Sequence, residues 1–252
     1  MRDVTTGAAR RRVLVTGAAG RIGSALALAA AGRWRLRLGD LRPEAIELPP
    51  GDGHEAVRLD VTDDAACRAA CAGVDAVVHL AADPDPDADF ATSLLPVNVV
   101  GTERMLAAAL AAGARRFVFA SSLHVVGGHP PGPPLAADAA PRPTNLYGAS
   151  KAWGEAAGSA HAARGLSFVA VRIGAYEAPW LAGATVADLT AYVSPRDLNA
   201  LLARAVEAEG IDYAVVWGVS NNRPNRVDLA STRALLDWEP LDDGFAVHGP
   251  GR

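Results

Sequence analysis

The chain has 252 residues, half of them hydrophobic, and a formal net charge of −4. That length can bury a sizeable core in one domain, and the mild acidic balance leaves no basic surface for nucleic acid or an anionic membrane. Met1 to Arg12 is basic and runs into a strand without an apolar signal region, and no apolar run approaches the roughly 20 residues that span a bilayer, so the chain reads as cytoplasmic.

In chain order, Val13 to Thr16 reads as a short apolar strand, followed by a glycine-rich turn and an Ala/Leu helix from about Arg21 to Ala31. Trp34 to Leu38 is a second strand, ending at Gly39-Asp40, and Ala56 to Leu59 a third, closing on Asp60-Val61. Cys67 and Cys71 fall in a helical stretch beginning at Asp63-Asp64. They read as small buried hydrophobes, because consecutive helical turns aim their Cβ atoms poorly for a bridge. No His or Cys spacing resembles a metal site. Ala76 to Leu80 and Arg116 to Ala120 are the fourth and fifth strands, with a helix from Val97 to Ala112 between them. Val169 to Arg172 and Tyr213 to Trp217 read as two more. The alternation predicts an α/β fold, a Rossmann-type doubly wound parallel sheet covered on both faces. Two segments break the rhythm and read as loops, the acidic Asp83 to Asp89 and the proline-rich His129 to Pro143. The first leaves the carboxyl end of a strand, where ligands bind in open α/β sheets.

Between strand and helix, Thr16-Gly17-Ala18-Ala19-Gly20-Arg21-Ile22-Gly23 spaces three glycines by three residues. Gly17 suits a tight turn, Gly20 lets backbone approach a pyrophosphate, and Gly23 lets the helix pack close to the sheet. The pyrophosphate would meet the N–H groups where Arg21 and Ile22 open the helix. Asp40, at the end of the next strand, can accept from an adenosine ribose and would repel the extra phosphate of NADP, though a plain turn residue is the alternative. Asp60, beside Val61, is placed to meet an adenine amino group. Of the 24 basic residues only Lys151 is a lysine, in Tyr147-Gly148-Ala149-Ser150-Lys151. A compact ammonium can approach two partners where a planar guanidinium cannot. The spacing of four puts Tyr147 and Lys151 on one helix face.

Taken together these residues resemble the extended short-chain dehydrogenase/reductase family. The matching positions are Gly17, Gly20 and Gly23; Asp40; Asp60-Val61; Leu80-Ala81-Ala82; Asn98; Ser121-Ser122; and Tyr147 with Lys151. Within the family the chain is most similar to the NAD-dependent uronate dehydrogenases, through Phe119-Ala120-Ser121-Ser122 with His124, Arg142-Pro143, Leu146-Tyr147-Gly148 and Val171-Arg172-Ile173-Gly174. The resemblance implies one domain, with residues 11–172 as the NAD-binding core and 173–252 mostly serving the substrate. It implies Ser122, Tyr147, Lys151 and Asn98 as the catalytic set. Ser121 and Ile173 would join the glycine turn, Asp40, Asp60, Val61, Leu80, Ala81 and Ala82 around NAD. Asp83, Ser122, Leu123, His124 and Tyr147 would meet the substrate. Tyr147 as phenolate would take the substrate proton, its pKa of about 10 lowered by Lys151 and by the nicotinamide cation. Asn98 would bind water or backbone in a proton relay, with a polar residue at a helix start as the alternative. A homodimer through the helices at Leu106 to Ala112 and Ala152 to Ala163 also follows from the family.

The chain departs from the uronate pattern at four positions. Leu123 stands for an Asn, Ala187 for the Arg that grips the carboxylate, and Asp83 and Ala175 for small polar residues. Without a clamp an anion is costly to bury, unless Arg196 or Arg172 reaches in, so a neutral or amino sugar is the expected substrate. The reading is therefore an NAD-dependent dehydrogenase of a free sugar, sugar acid or similar polyol. An epimerase that uses NAD transiently and a nucleotide-sensing binding protein are the rivals.

Overall fold

The computed structural model describes residues 10–177, 181 and 183–249. Seven parallel strands form the central sheet: β1 (Arg12–Thr16), β2 (Arg35–Asp40), β3 (Glu55–Arg58), β4 (Ala76–His79), β5 (Arg116–Ser122), β6 (Ser167–Ile173) and, from the C-terminal part, β9 (Tyr213–Gly218). Their order is β3-β2-β1-β4-β5-β6-β9, so the chain reverses direction across the sheet between β1 and β4. That reversal opens the crevice at the carboxyl ends where doubly wound sheets bind ligands. A small parallel pair, β7 (Ala175–Tyr176) and β8 (Tyr192–Val193), extends the carboxyl side beyond β6.

Strand residues alternate between two cores, as pleating requires. Val13 and Val15 join the cluster that packs under α1 (Arg21–Ala30) and α6 (Pro195–Glu207), while Leu14 joins Val77, Phe117 and Phe168 on the opposite face. That second face is covered by α2 (Asp64–Cys71), α3 (Thr102–Ala111) and α4 (Leu146–Ala162). Gly154 and Gly158 set the height of α4 over the sheet. A Cβ at Gly154 would lie 2.4 Å from the Phe119 ring and one at Gly158 2.2 Å from the Phe168 ring. Short helices α5 (Val186–Thr190), α7 (Ala230–Leu236) and α8 (Gly244–His248) complete the carboxyl-side rim.

One expectation changes. The helix anticipated from Val97 runs from Phe90 to Ala111, and its first twelve residues, Phe90–Gly101, wind as a wide π-helix. Pro96 inside it lacks an amide donor, and wide turns blur the 3.6-residue apolar period by which a helix start is read. This 22-residue helix is also long and apolar enough by composition to cross a membrane; here it packs on α4, and its α3 part on α2. The C-terminal part supplies β9 and α6 to the main sandwich, so it shares the core as well as the rim. Cys67 and Cys71 are free and buried, and burial lifts their thiols to about 11 and about 12.

Candidate active site

The turn after β1 is built by Gly17, whose φ of +66° lies in the left-handed region and whose Cβ would stand 2.9 Å from the Ala81 amide nitrogen. Gly20 opens α1 with no side-chain cap, which leaves the first amides of that helix available to an anion. Asp40 ends β2 and is pinned: Ala19 N–H donates to Oδ2 at 3.0 Å and Arg42 N–H to Oδ1 at 3.1 Å. Gly17, Gly20, Arg21, Ile22, Gly23, Asp40, Leu80, Ala81, Ala82, Ser121, Tyr147, Lys151 and Ile173 line one cavity of about 280 Å³. Asp60 and Val61 line an adjoining one of about 190 Å³. The Asp60 carboxylate accepts from the Thr62 hydroxyl at 2.7 Å and the Thr62 N–H at 2.8 Å, which hold its pKa below the usual range. The whole set inferred for a dinucleotide thus lies along one crevice.

Tyr147 and Lys151 project from the first two turns of α4. The Lys151 ammonium is buried, 5.1 Å from the Phe119 ring centroid and 5.7 Å from that of Tyr147, with no carboxylate paired to it among the described residues. Burial lowers its pKa to about 8. An uncompensated buried ammonium fits the hydroxyls of a nicotinamide ribose. In the protein alone burial raises the Tyr147 pKa, opposed by the Ser122 hydroxyl and reinforced by Asp83, so the phenol is neutral at physiological pH. Asn98 is buried and fully engaged: its Oδ1 accepts Asp83 N–H at 2.8 Å, and its Nδ2 donates to Asp83 O at 3.0 Å and reaches Ser150 Oγ at 3.4 Å. It ties the loop after β4 to α4, so its contacts are to backbone and to Ser150.

Beyond Tyr147 a second cavity of about 510 Å³ is lined by Ser122, Leu123, His124, Arg21, Ala175, Tyr176, Ala187 and Asp188 among others. Asp83 does not face it with a free charge. Its carboxylate accepts from the Asp85 N–H at 3.0 Å and from the Ser93 hydroxyl, because an acid at a loop start is satisfied by the following amides. Neither substitute clamp is free. Arg196 pairs with Asp242, and Arg172 is locked to Glu155 by two bonds of 2.9 and 2.8 Å and to Ala139 O at 2.9 Å.

Residues 13–234 match the NAD-dependent epimerase/dehydratase family. The chain belongs to that family. It is 37% identical over 246 residues, covering 92% of the chain and 93% of the relative, to an NAD-dependent glucose-6-phosphate dehydrogenase of Haloferax volcanii. It is 36% identical to an L-arabinose 1-dehydrogenase (NAD(P)(+)) of the same organism, covering 94% and 98% of the two chains. A uronate dehydrogenase from Agrobacterium tumefaciens, crystallised as a Tyr-to-Ala variant with NAD, superposes with a TM-score of 0.83 at 33% identity, over 96% of this chain and 89% of that one. This family member is an NAD-dependent oxidoreductase of the short-chain dehydrogenase/reductase type, with uronate dehydrogenases among its relatives as the motifs implied.

Two features of this dehydrogenase escaped sequence reasoning. Thr16 Oγ1 accepts the Leu80 and Ala81 amides at 3.2 and 3.1 Å, so its hydroxyl donates to His79 Nδ1 at 2.8 Å. His79 Nε2–H then reaches Thr102 Oγ1 at 3.2 Å. Burial, with the nearby Lys151 charge, drops the His79 pKa to about 3, so it stays neutral and holds the β4 loop against the cradle. The second is Glu155, which accepts Ser121 Oγ–H at 2.6 Å as well as Arg172. Polar residues inside apolar strands and helices were the only available signal for either.

Proposed function

We propose that this dehydrogenase oxidises one hydroxyl of a monosaccharide or monosaccharide derivative. The observation that carries the reading is the position of Ser122 and Tyr147 in the wall of the 510 Å³ cavity, with Tyr147 and Lys151 also lining the cofactor crevice. When bound, oxidised NAD supplies the hydride acceptor and a positive charge facing the phenol. Ser122 Oγ hydrogen-bonds the reacting oxygen, Tyr147 Oη takes its proton, and Lys151 holds the ribose while its charge favours the phenolate. The first turn of α1 binds the pyrophosphate and Asp40 the adenosine ribose. Asn98 fixes the helix–loop junction beneath Tyr147.

The relatives act, by their names, on a sugar phosphate, a pentose and uronates, and all three classes fit the cavity by size. Asp83 does not line this cavity and its carboxylate is held in its own loop, so its charge opposes an acid less directly than the sequence implied. Arg21 is the cation lining this cavity, held by Glu177 O at 2.9 Å and 6.0 Å from the Tyr176 ring. An anionic group on the sugar is placed there. Glucose 6-phosphate, glucuronate, L-arabinose and glucose at equal concentration, followed by NADH absorbance, test the reading. NADH from none of them, with interconversion of sugar epimers instead, overturns it in favour of the epimerase. Arg21→Gln should raise KM for the anionic pair alone; an equal loss on all four assigns Arg21 to the cofactor. A homodimer through α3 and α4 is also proposed, since Trp153 is exposed on α4, and light scattering decides it against a 26.0 kDa particle.

A further inference from the structure

His124 lies in the helical turn Leu123–Val126 that follows β5, and its ring is open to the substrate cavity. It stands edge-on to Tyr147, with centroids 5.5 Å apart at 80°. Asn145, the N-cap of α4, faces it from the other side. Asn145 Oδ1 accepts the Gly148 N–H at 2.7 Å, which leaves its Nδ2 to meet His124 Nδ1 at 2.9 Å. An amide NH2 only donates, so Nδ1 must accept and the ring proton belongs on Nε2. Turning the amide over would set its NH2 against the Gly148 N–H, so the helix cap itself decides the orientation.

We propose that Asn145 fixes His124 as the neutral Nε2–H tautomer, and that this N–H donates to an acceptor oxygen of the sugar beside the reacting hydroxyl. The proposal rests on the dehydrogenase reading above. His124 Nε2 has no partner among the described residues, and it lies on the ring edge away from Asn145. A second ring proton would set Nδ1–H against the Asn145 donor, and burial already lowers the His124 pKa. The charged and titratable groups facing it are Tyr147 on α4 and, across the cavity, Arg21 and Asp188. None supplies an anion to Nδ1. Asn145 is thus a positioning residue. One side chain sets both the first turn of the helix bearing Tyr147 and the polarity of the neighbouring donor.

Two measurements test this. In 15N-labelled protein loaded with NAD, the imidazole spectrum should show His124 with bare Nδ1 and protonated Nε2 at neutral pH, its signal assigned by loss in His124→Gln. A protonated Nδ1 or an imidazolium overturns the proposal. Asn145→Asp keeps the helix cap but replaces the donor with a carboxylate, so Nδ1–H becomes the favoured neutral tautomer and Nε2 a lone pair. On whichever of glucose 6-phosphate, L-arabinose or glucuronate the wild type oxidises, kcat/KM should fall about tenfold or more at alkaline pH, with NAD Kd and Tm unchanged. The ratio to wild type should recover as pH falls and the ring regains Nε2–H. A ratio near one throughout, or a pH-independent loss with lowered Tm, overturns the role of Asn145. A wild type that oxidises none of the three overturns the donor role together with the reading it rests on, whereas a wrong tautomer overturns the proposal alone.

Discussion

Lys151 and Arg172 lie equally deep, 4% and 3% exposed, in opposite electrostatic circumstances. The region of Arg172 closes on itself: Glu155 takes the Nε–Nη2 edge, Ala139 O takes Nη1, Ser121 completes the carboxylate, and the Trp217 ring lies 5.3 Å away. Among the described residues the Lys151 ammonium meets two aromatic rings and the open crevice, with no carboxylate. Burying a cation without a counterion costs several kcal/mol, so a fold that leaves one unpaired is shaped for something it does not itself contain. A paired buried cation marks architecture; an unpaired one marks a site.

The largest effect expected from this contrast is catalytic. Tyr147→Phe should cut turnover by about 10²–10⁴ with NAD affinity nearly intact, since only the proton transfer is lost. Lys151→Met should match it in turnover yet leave Tm unchanged or higher, because it removes an unpaired charge from the core. NADH formation and thermal melts measure both. Wild-type turnover in Tyr147→Phe would place the chemistry elsewhere.

Arg172 should behave in the opposite way. Glu155→Leu strands the guanidinium and is expected to destabilise the fold by about 3–5 kcal/mol in denaturant unfolding. Adding Arg172→Met should restore most of that, because neither charge is then left alone. A single variant as stable as wild type would mean that water reaches Arg172 and that the contrast between the two regions is false.

The cofactor half was readable because its residues are local in sequence. The glycine turn, Asp40 at the end of β2 and Asp60-Val61 after β3 each sit where a strand stops, and parallel register carries them to one crevice. The seven strands of the central sheet were anticipated to within a residue or two, and the short pair β7 and β8 was not. Much of the substrate half depends on contacts that no local pattern encodes. Asp83 reads as a charge facing the substrate, whereas its carboxylate is turned into its own loop by Ser93 and the Asp85 amide and does not line the cavity. His124 and Asn145 meet across 21 residues, and Thr16 and His79 across 63. The π-helical start at Phe90 was hidden because its wide turns lack the 3.6-residue period.

A smaller effect concerns pH. In the folded protein Lys151 loses its proton near pH 8, whereas in the unfolded chain it keeps it to about 10.4. Between these values the unfolded state binds more protons, so stability from this group is lowest below pH 8 and rises above it, by at most about 1.4 kcal/mol per pH unit. Cys67 and Cys71 act in the opposite sense above their ordinary pKa, because burial disfavours their thiolates. The comparison that isolates Lys151 is therefore wild type minus Lys151→Met in the absence of NAD, from about pH 7 to 9. A difference that does not change with pH would mean that the ammonium is hydrated or paired, and the unpaired region would lose its distinguishing property.

The smallest expected effect is on cofactor choice, and it tests whether a paired acid can still repel. Both Asp40 oxygens accept backbone N–H bonds, from Ala19 and Arg42, so the carboxylate is held in the wall of the crevice, where the proposed reading puts the adenosine ribose. A phosphate on that ribose would meet this charge directly, while Arg42, lining the same cavity, partly offsets the repulsion. NAD should bind at least about tenfold more tightly than NADP, about 1.4 kcal/mol. Asp40→Asn retains an acceptor for the Ala19 or Arg42 amide but removes the charge, so calorimetric titration should show the two affinities converging through a gain for NADP. Equal or tighter NADP binding by the wild type would show that Arg42, and not Asp40, sets the field at that end of the crevice.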